Sequence, residues 1–175
     1  MSDLRIYRVD ENYIEYLQSY ESKIMFHKST KVKRPYIGIV LHIGIVLHIG
    51  KYKYFAPMTS PKPKHLSMKN SIDFIKIEGG KYGAINLNNM IPINDSELID
   101  FNIQEEEKKY RDVLINQFKF IKSNSEKICK NAEKLYNKVV NEKKEHFIKV
   151  CCDFKLLENK CEEYQILQEV AITTE

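Results

Sequence analysis

The residues best suited to chemistry lie in one short stretch, Thr59-Ser60-Pro61-Lys62-Pro63-Lys64-His65. Cleavage of an RNA phosphodiester without a metal needs an oriented or deprotonated 2′-hydroxyl, an offset for the phosphorane charge and a proton for the leaving oxygen. Hydroxyl groups and lysines on a loop stiffened by proline can supply the orientation and the positive charge. The stretch therefore predicts a site that handles phosphate, although a surface turn or a non-catalytic phosphate-binding loop would have the same composition.

Other familiar catalytic and cofactor-binding patterns are absent from the sequence. The chain has no GxxxxGK[ST] or GxGxxG loop for phosphates, no HExxH zinc motif and no GxSxG nucleophile elbow. Its five histidines are scattered, and no group of acidic residues stands out as a cage for a divalent metal. We therefore expect neither a metal nor an organic cofactor.

A long segment without acidic residues favours a polyanionic partner. Residues 22–72 include ten Lys or Arg and no Asp or Glu, whereas the whole chain has a formal net charge of only +4. Because soluble surfaces usually mix both signs, a one-signed segment is typical of proteins that bind nucleic acid phosphates. Tyrosines among these cations could stack on bases, although tyrosines in strands more often pack within the sheet. The candidate RNA-binding residues are Lys31, Arg34, Tyr36, Lys51, Lys53, Lys64, His65 and Lys69.

The elements that must position these residues are mostly strands in the first half of the chain. Alternating or β-branched apolar residues predict strands near residues 4–9, 36–49, 52–56, 72–77, 82–87 and 88–93. Asp10 is placed to cap a short helix that continues to about Tyr20, and Gly50-Lys51 predicts a hairpin turn. With three prolines in seven residues, the stretch 57–65 is expected to form neither a regular helix nor a central strand.

The second half of the chain has the pattern of helices. Apolar residues recur at helical spacing from Tyr110 to Ile121 and again after Ser125, where we expect a second helix to begin, and a last helix is predicted over about 156–169. Strands followed by helices predict an α+β fold with an antiparallel sheet. Without a linker rich in Gly, Ser or Pro, residues 1–175 are expected to form a single domain, mainly sheet over 1–95 and mainly helical over 96–175.

One hexapeptide, Ile-Gly-Ile-Val-Leu-His, occurs twice in succession, at 37–42 and 43–48. Because six is an even number, the duplication keeps every side chain on its own face of a strand. It could lengthen a strand, form a bulge at Gly44 or displace residues into a loop. The longest apolar run, residues 37–49, is too short to cross a bilayer, and the N-terminus lacks a signal layout. We therefore expect a cytoplasmic protein without a membrane partner.

Three blocks of sequence, with their order and spacing, carry a resemblance to a known family. They are Arg-Pro-Tyr-Ile-Gly-Ile-Val-Leu at 34–41, Lys-Tyr-Phe-Ala-Pro-Met-Thr-Ser-Pro-Lys at 53–62 and Asn-Leu-Asn-Asn-Met-Ile-Pro at 86–92. Further matching residues lie at 7–17 and 110–121. Over about residues 4–160 the chain resembles the ToxN/AbiQ family, the endoribonuclease toxins of type III toxin–antitoxin systems.

This resemblance implies a fold, an activity and partners. The fold would be a strongly bent antiparallel β-sheet with helices, related to the MazF/Kid-like barrel. The activity would be metal-independent cleavage of cellular or phage RNA, leaving 2′,3′-cyclic phosphate and 5′-hydroxyl ends. An antitoxin RNA built of pseudoknot repeats would occupy the same basic groove, and toxin and RNA would assemble into rings. Such systems often protect bacteria from phage by abortive infection.

The resemblance also assigns catalytic residues. The family's catalytic block falls on Thr59, Ser60 and Lys62. Its upstream basic residue falls on Lys33 or Arg34, and we favour Lys33 because lysine exchanges protons whereas arginine effectively does not. An upstream tyrosine of the family has no counterpart between residues 22 and 35, and the duplicated hexapeptide lies between the two halves of the predicted site.

Two other functions fit the sequence less completely. One is a non-catalytic RNA-binding module with an SH3-like barrel, which would bind RNA without cutting it. The other is a protein–protein adaptor that uses acidic helices and has no specific affinity for RNA.

Overall fold

The protein, described here by a computed structural model over residues 4–25 and 43–174, combines an antiparallel sheet with a helical C-terminal half. The strands are β1 (Ile6–Val9), β2 (Ile43–Ile49), β3 (Tyr52–Thr59), β4 (Phe74–Lys76), β5 (Ala84–Asn86), β6 (Ile91–Ile93) and β7 (Leu98–Asp100). The helices are α1 (Glu11–Gln18), α2 (Pro63–Ser67), α3 (Lys108–Val140), α4 (Glu145–Val150) and α5 (Phe154–Thr173). The predicted α+β class, with an antiparallel sheet and a mainly helical second half, is confirmed.

The neighbouring strand of β3 on one side changes along its length. The sheet runs in the order β4-β5-β3-β2-β1-β7, and β6 pairs with the first half of β3. On that side, residues 53–55 of β3 pair with β6, whereas Met58 and Thr59 pair with β5. The change of partner falls at Pro57, which has no N–H to donate to a neighbouring strand. The strand order does not close on itself among the described residues.

Two predictions about the proline-rich stretch were wrong. β3 continues through Pro57 to Thr59, and Pro63 begins the short helix α2. Proline is tolerated at the first position of a helix because the N–H of that residue has no partner within the helix. Proline at 57 is tolerated because the neighbouring strand changes there.

The hairpin of β2 and β3 is formed by the second copy of the hexapeptide. Its register runs without interruption from Ile49 opposite Tyr52 to Gly44 opposite Pro57, so no bulge occurs at Gly44. A Cβ atom at Gly44 would lie 2.2 Å from the carbonyl oxygen of Ala56, which explains why glycine occupies this position. The first copy, at 37–42, lies outside the described residues.

Helices α3 and α5 pack against the sheet. Helix α1 begins at the predicted cap, where the Asp10 side chain accepts a hydrogen bond from the backbone N–H of Tyr13. Helix α3 is continuous for 33 residues, so the prediction of a new helix at Ser125 was wrong. The reason is that the buried apolar row of α3 continues past Ser125 from Ile121 to Ile128. Among the described residues, no helix is both long and apolar enough to cross a membrane.

Candidate active site

The predicted catalytic hydroxyls lie where β3 leaves the sheet. Thr59, the last residue of β3, pairs with Ala84 of β5, and Ser60 is the exposed residue that follows. The Thr59 hydroxyl is buried and has no hydrogen-bond partner within the described part of the chain. Because buried hydroxyls are normally paired, this one is available to a bound group.

Exposed lysines follow the two hydroxyls within a few residues. Lys62 is the residue that precedes α2, and Lys64 lies in its first turn. Lys69 follows shortly after the helix, and all three lysines are exposed. The structure therefore brings Ser60, Lys62, Lys64 and Lys69 to one exposed segment, and residues 43–72 contain no acidic side chain to offset their charge.

A glycine-rich turn, residues 78–83, packs against the backbone of this segment. A Cβ atom at Gly83 would lie 1.9 Å from the carbonyl oxygen of Thr59, and a Cβ atom at Gly80 would lie 2.5 Å from that of His65. Both glycines also have positive φ angles, +90° and +96°. The close approach of the two backbones therefore depends on glycine at both positions.

Helix α3 holds this turn in place. The side-chain amide of Gln117, a buried residue of α3, donates a hydrogen bond of 2.8 Å to the carbonyl oxygen of Tyr82. Gly80, Gly83 and Gln117 were not predicted from the sequence as functional residues. A glycine inside a strand-like pattern, as at Gly83, is the signal that indicates a close backbone contact.

His65 does not lie on the exposed surface with the lysines. Only 2% of the residue is exposed, and its ring packs near Phe74 with 5.7 Å between ring centroids. Its Nδ1 atom accepts a hydrogen bond of 3.3 Å from the backbone N–H of Lys62. Burial lowers the pKa of the imidazole, and the positive charges of Lys62 and Lys64 lower it further.

Lys51 and Lys53 lie at the other end of the hairpin. The ammonium group of Lys51 is 2.9 Å from a carboxylate oxygen of Glu162, and that of Lys53 is 2.6 Å from Asp95. At roughly 3.3 Å per strand residue, Lys53 is about 20 Å from Thr59 along β3. The structure therefore does not bring these two candidate RNA-binding residues into the segment that contains Ser60.

The remaining candidate residues, Lys31, Lys33, Arg34 and Tyr36, lie outside the described residues. Among the residues that are described, no group of three or more His, Cys, Asp or Glu side chains is arranged to hold a metal ion.

Comparisons with known proteins agree with the resemblance found in the sequence. A family model described as "Toxin ToxN, type III toxin-antitoxin system" matches residues 5–162. The chain is 34% identical to endoribonuclease ToxN of Pectobacterium atrosepticum, with 92% of this chain and 94% of that protein aligned. It is 33% identical to endoribonuclease AbiQ of Lactococcus lactis subsp. lactis, with 92% and 89% of the two chains aligned.

Solved structures share the fold. The structure of AbiQ, described as a lactococcal anti-phage endoribonuclease, superposes with a TM-score of 0.75 at 31% identity, covering 93% of this chain and 98% of AbiQ. A type III toxin described as selectively inhibited by a non-coding RNA pseudoknot gives a TM-score of 0.76 at 28% identity, covering 94% of this chain and 99% of that one. The glycine-supported Thr59–Lys62 segment lies within the matched residues, and the chain belongs to the ToxN family of type III toxin–antitoxin toxins.

Proposed function

We propose that this protein is an endoribonuclease toxin that cleaves RNA by metal-independent transphosphorylation and is inhibited by an antitoxin RNA. The observation that carries the proposal is the exposed segment at the end of β3, where a buried unpaired hydroxyl, an exposed hydroxyl and a lysine lie within four residues, Thr59 to Lys62. The related proteins ToxN and AbiQ are both named endoribonucleases, which supports the same activity here.

The proposed reaction assigns a role to each catalytic residue. Thr59 and Ser60 orient the 2′-hydroxyl or the scissile phosphate, and Lys62 and Lys33 offset the charge of the phosphorane and take part in proton transfer. The 2′-oxygen forms a new bond to phosphorus as its proton leaves, and the bond from phosphorus to the 5′-oxygen breaks as that oxygen gains a proton. The products are a 2′,3′-cyclic phosphate and a 5′-hydroxyl.

The antitoxin RNA would compete for the same surface. Pseudoknot inhibition is described for a toxin of closely similar fold, and the exposed lysines Lys62, Lys64 and Lys69 give this segment the charge that RNA phosphates require. The antitoxin RNA would therefore inhibit cleavage by occupying the site. The protein would act in the cytoplasm, where the antitoxin RNA and the substrate RNA are both found.

Two structural features of the family are also part of the proposal. A relationship between this sheet, bent at β3, and the MazF/Kid-like barrel is supported by the change of the strand paired with β3, from β6 to β5. Folding of the chain as a single domain is supported by one apolar core that includes residues of the sheet and of α1, α3 and α5.

The test is a cleavage assay with a long single-stranded RNA of mixed sequence in excess EDTA, followed by mass spectrometry of the product ends. We expect 2′,3′-cyclic phosphate and 5′-hydroxyl ends. Ser60→Ala and Lys62→Ala should each lower kcat by about 10²–10³, the usual loss for one electrostatic donor to a charged transition state.

Two exposed residues outside the segment 59–69 provide matched controls. Ser123→Ala on α3 and Lys149→Ala on α4 remove the same groups and should cleave like the wild type. Products with 3′-hydroxyl ends, or equal rates in all four variants, would contradict the proposed chemistry. Binding of RNA without cleavage would instead favour a non-catalytic module, and the absence of salt-sensitive binding would favour a protein adaptor.

A further inference from the structure

Two hydrogen bonds join His65 to Lys62. The backbone N–H of His65 donates to the carbonyl oxygen of Lys62 at 2.9 Å, and the backbone N–H of Lys62 donates to Nδ1 of His65 at 3.3 Å. The first bond forms the turn that begins α2. The second uses the imidazole itself, so the side chain of His65 fixes the backbone of the residue whose ammonium group is proposed to face the scissile phosphate.

The surroundings of His65 keep the imidazole in this position. The residue is 2% exposed, its ring packs near Phe74 of β4, and its backbone contacts Gly80 so closely that no Cβ could be added there. The Nζ atom of Lys76, also in β4, donates to the carbonyl oxygen of Leu66 at 3.4 Å. One stretch of chain, residues 74–80, therefore packs against both the ring and the backbone of His65.

The charges around the ring favour its neutral form. Burial lowers the pKa of His65 below its ordinary value of about 6.5, and the nearby Lys62 and Lys64 lower it further. The segments packed around His65 carry two cations, Lys76 on β4 and the exposed Lys81 of the glycine-rich turn, and one anion, the exposed Glu78 of that turn. A neutral imidazole that accepts at Nδ1 carries its proton on Nε2.

We propose that His65 is a positioning residue that aims Lys62 at the scissile phosphate, and that it does so only while its imidazole is neutral. The inference rests on the proposed function and adds a control of the same site. A protonated imidazole has N–H donors on both nitrogens, so Nδ1 could no longer accept from Lys62 and a further positive charge would lie beside two lysines. Cleavage should therefore decline as the pH falls below the ordinary histidine range.

The first test compares pH–rate profiles of wild type, His65→Asn and His65→Leu in the EDTA assay. The amide oxygen of asparagine can accept from the Lys62 N–H but does not titrate, so His65→Asn should retain most of the wild-type kcat and lose the acid limb. His65→Leu removes the acceptor and should lower kcat by about a hundredfold with little change in KM. His146→Asn, at an exposed histidine of α4, should reproduce the wild-type profile.

The second test needs no activity and keeps the inference apart from the proposed function. In NMR spectra of the full chain, the His65 ring should be the Nε2–H tautomer at neutral pH, and the Lys62 amide proton should titrate with the same midpoint as that ring. A Lys62 amide that does not respond to His65, or superimposable pH–rate profiles of wild type and His65→Asn, would overturn the proposal. Failure of the wild type to cleave any RNA would count against the proposed function and leave the NMR result to decide this one.

Discussion

Gly83 is the residue on which the geometry of the site depends most directly. Any other residue there would have to adopt a φ of +90°, and its Cβ atom would lie 1.9 Å from the Thr59 carbonyl oxygen. Gly79, in the same turn, has a φ of +62° but has nothing within 4 Å of its Cβ position. Alanine substitutions at the two glycines therefore distinguish the effect of backbone strain alone from that of strain together with a steric clash.

We predict that Gly83→Ala lowers the free energy of unfolding by about 2–5 kcal/mol and reduces cleavage, because strain and overpacking add. Gly79→Ala should cost about 1–2 kcal/mol from strain alone and leave cleavage unchanged. Denaturant unfolding and the EDTA cleavage assay measure both effects. Equal losses for the two variants would mean that the approach of this turn to β3 is not tight.

The residue types of the candidate site could be read from the sequence, but the exposure of each side chain could not. Ser60 and Lys62 were identified from hydroxyl and cation spacing and lie together on the surface. His65, with the same local pattern, is buried because the turn at 78–80 and β4 pack over it. Those neighbours lie 9–15 residues further along the chain, so the pattern immediately around His65 could not indicate its burial.

A polar cluster around a buried carboxylate connects the sheet to two helices. The carboxylate of Glu158, on α5, accepts hydrogen bonds from the hydroxyls of Tyr54 in β3 at 2.8 Å and Tyr136 in α3 at 2.6 Å. The ammonium group of Lys155 lies 2.6 Å from the other carboxylate oxygen. Burial and the Glu158 charge raise the pKa of Tyr54 well above its usual range, so its hydroxyl remains a donor.

We predict that Glu158→Ala destabilises the protein by about 3–5 kcal/mol, because it leaves two hydroxyls without their acceptor and opens a cavity. The matched control is Glu162→Ala, one turn further along α5, which removes an exposed carboxylate bonded to Lys51 and Tyr52. An exposed pair of this kind contributes little to stability because solvent screens it. Thermal and denaturant unfolding compare the variants, and a Glu158→Ala loss no larger than that of the control would refute the structural role of the cluster.

Element types were more predictable than element ends. The apolar periodicity of α3 and the cap at Asp10 are local signals, and both helices were found from them. The three-residue strand β7 and the six-residue helix α4 were missed because such short segments are stabilised by their neighbours rather than by their own pattern. The extension of β3 through Pro57 likewise depends on which strand lies beside it.

Over the whole molecule, positive charge is not confined to the sheet half. Helix α3 carries nine basic and three acidic residues, whereas residues 95–107 carry six acidic residues and no basic ones. The net charge of residues 96–175 hides this separation because the positive charge of α3 and the negative charge of the segment before it nearly cancel. The adaptor alternative assumed acidic helices, and the longest helix is in fact basic.

The duplicated hexapeptide leads to a prediction about the whole chain. Because the copies are identical, removing either gives the same sequence, in which one copy still joins the turn at Gly50. That copy forms β2, whose pairing with β1 and β3 would be unchanged. We therefore expect the deletion to change the free energy of unfolding by less than about 1 kcal/mol, or Tm by about 2–4 °C at most.

The same deletion brings Lys33 from ten residues before Ile43 to four, which shortens its greatest possible distance from β2 from about 35 Å to about 14 Å. If Lys33 acts with Lys62 on one phosphate, this shorter connection should cleave RNA at least as fast as the wild type. The upstream cation is then identified by introducing Lys33→Ala into both chain lengths, with Arg34→Ala as the matched control. Lys33→Ala should lower kcat by about 10²–10³ in each chain length, whereas Arg34→Ala should mainly raise KM. Loss of cleavage on deletion with Tm unchanged would mean that the site needs the longer connection, and equal kcat values for Lys33→Ala and its parent would remove Lys33 from the catalytic set.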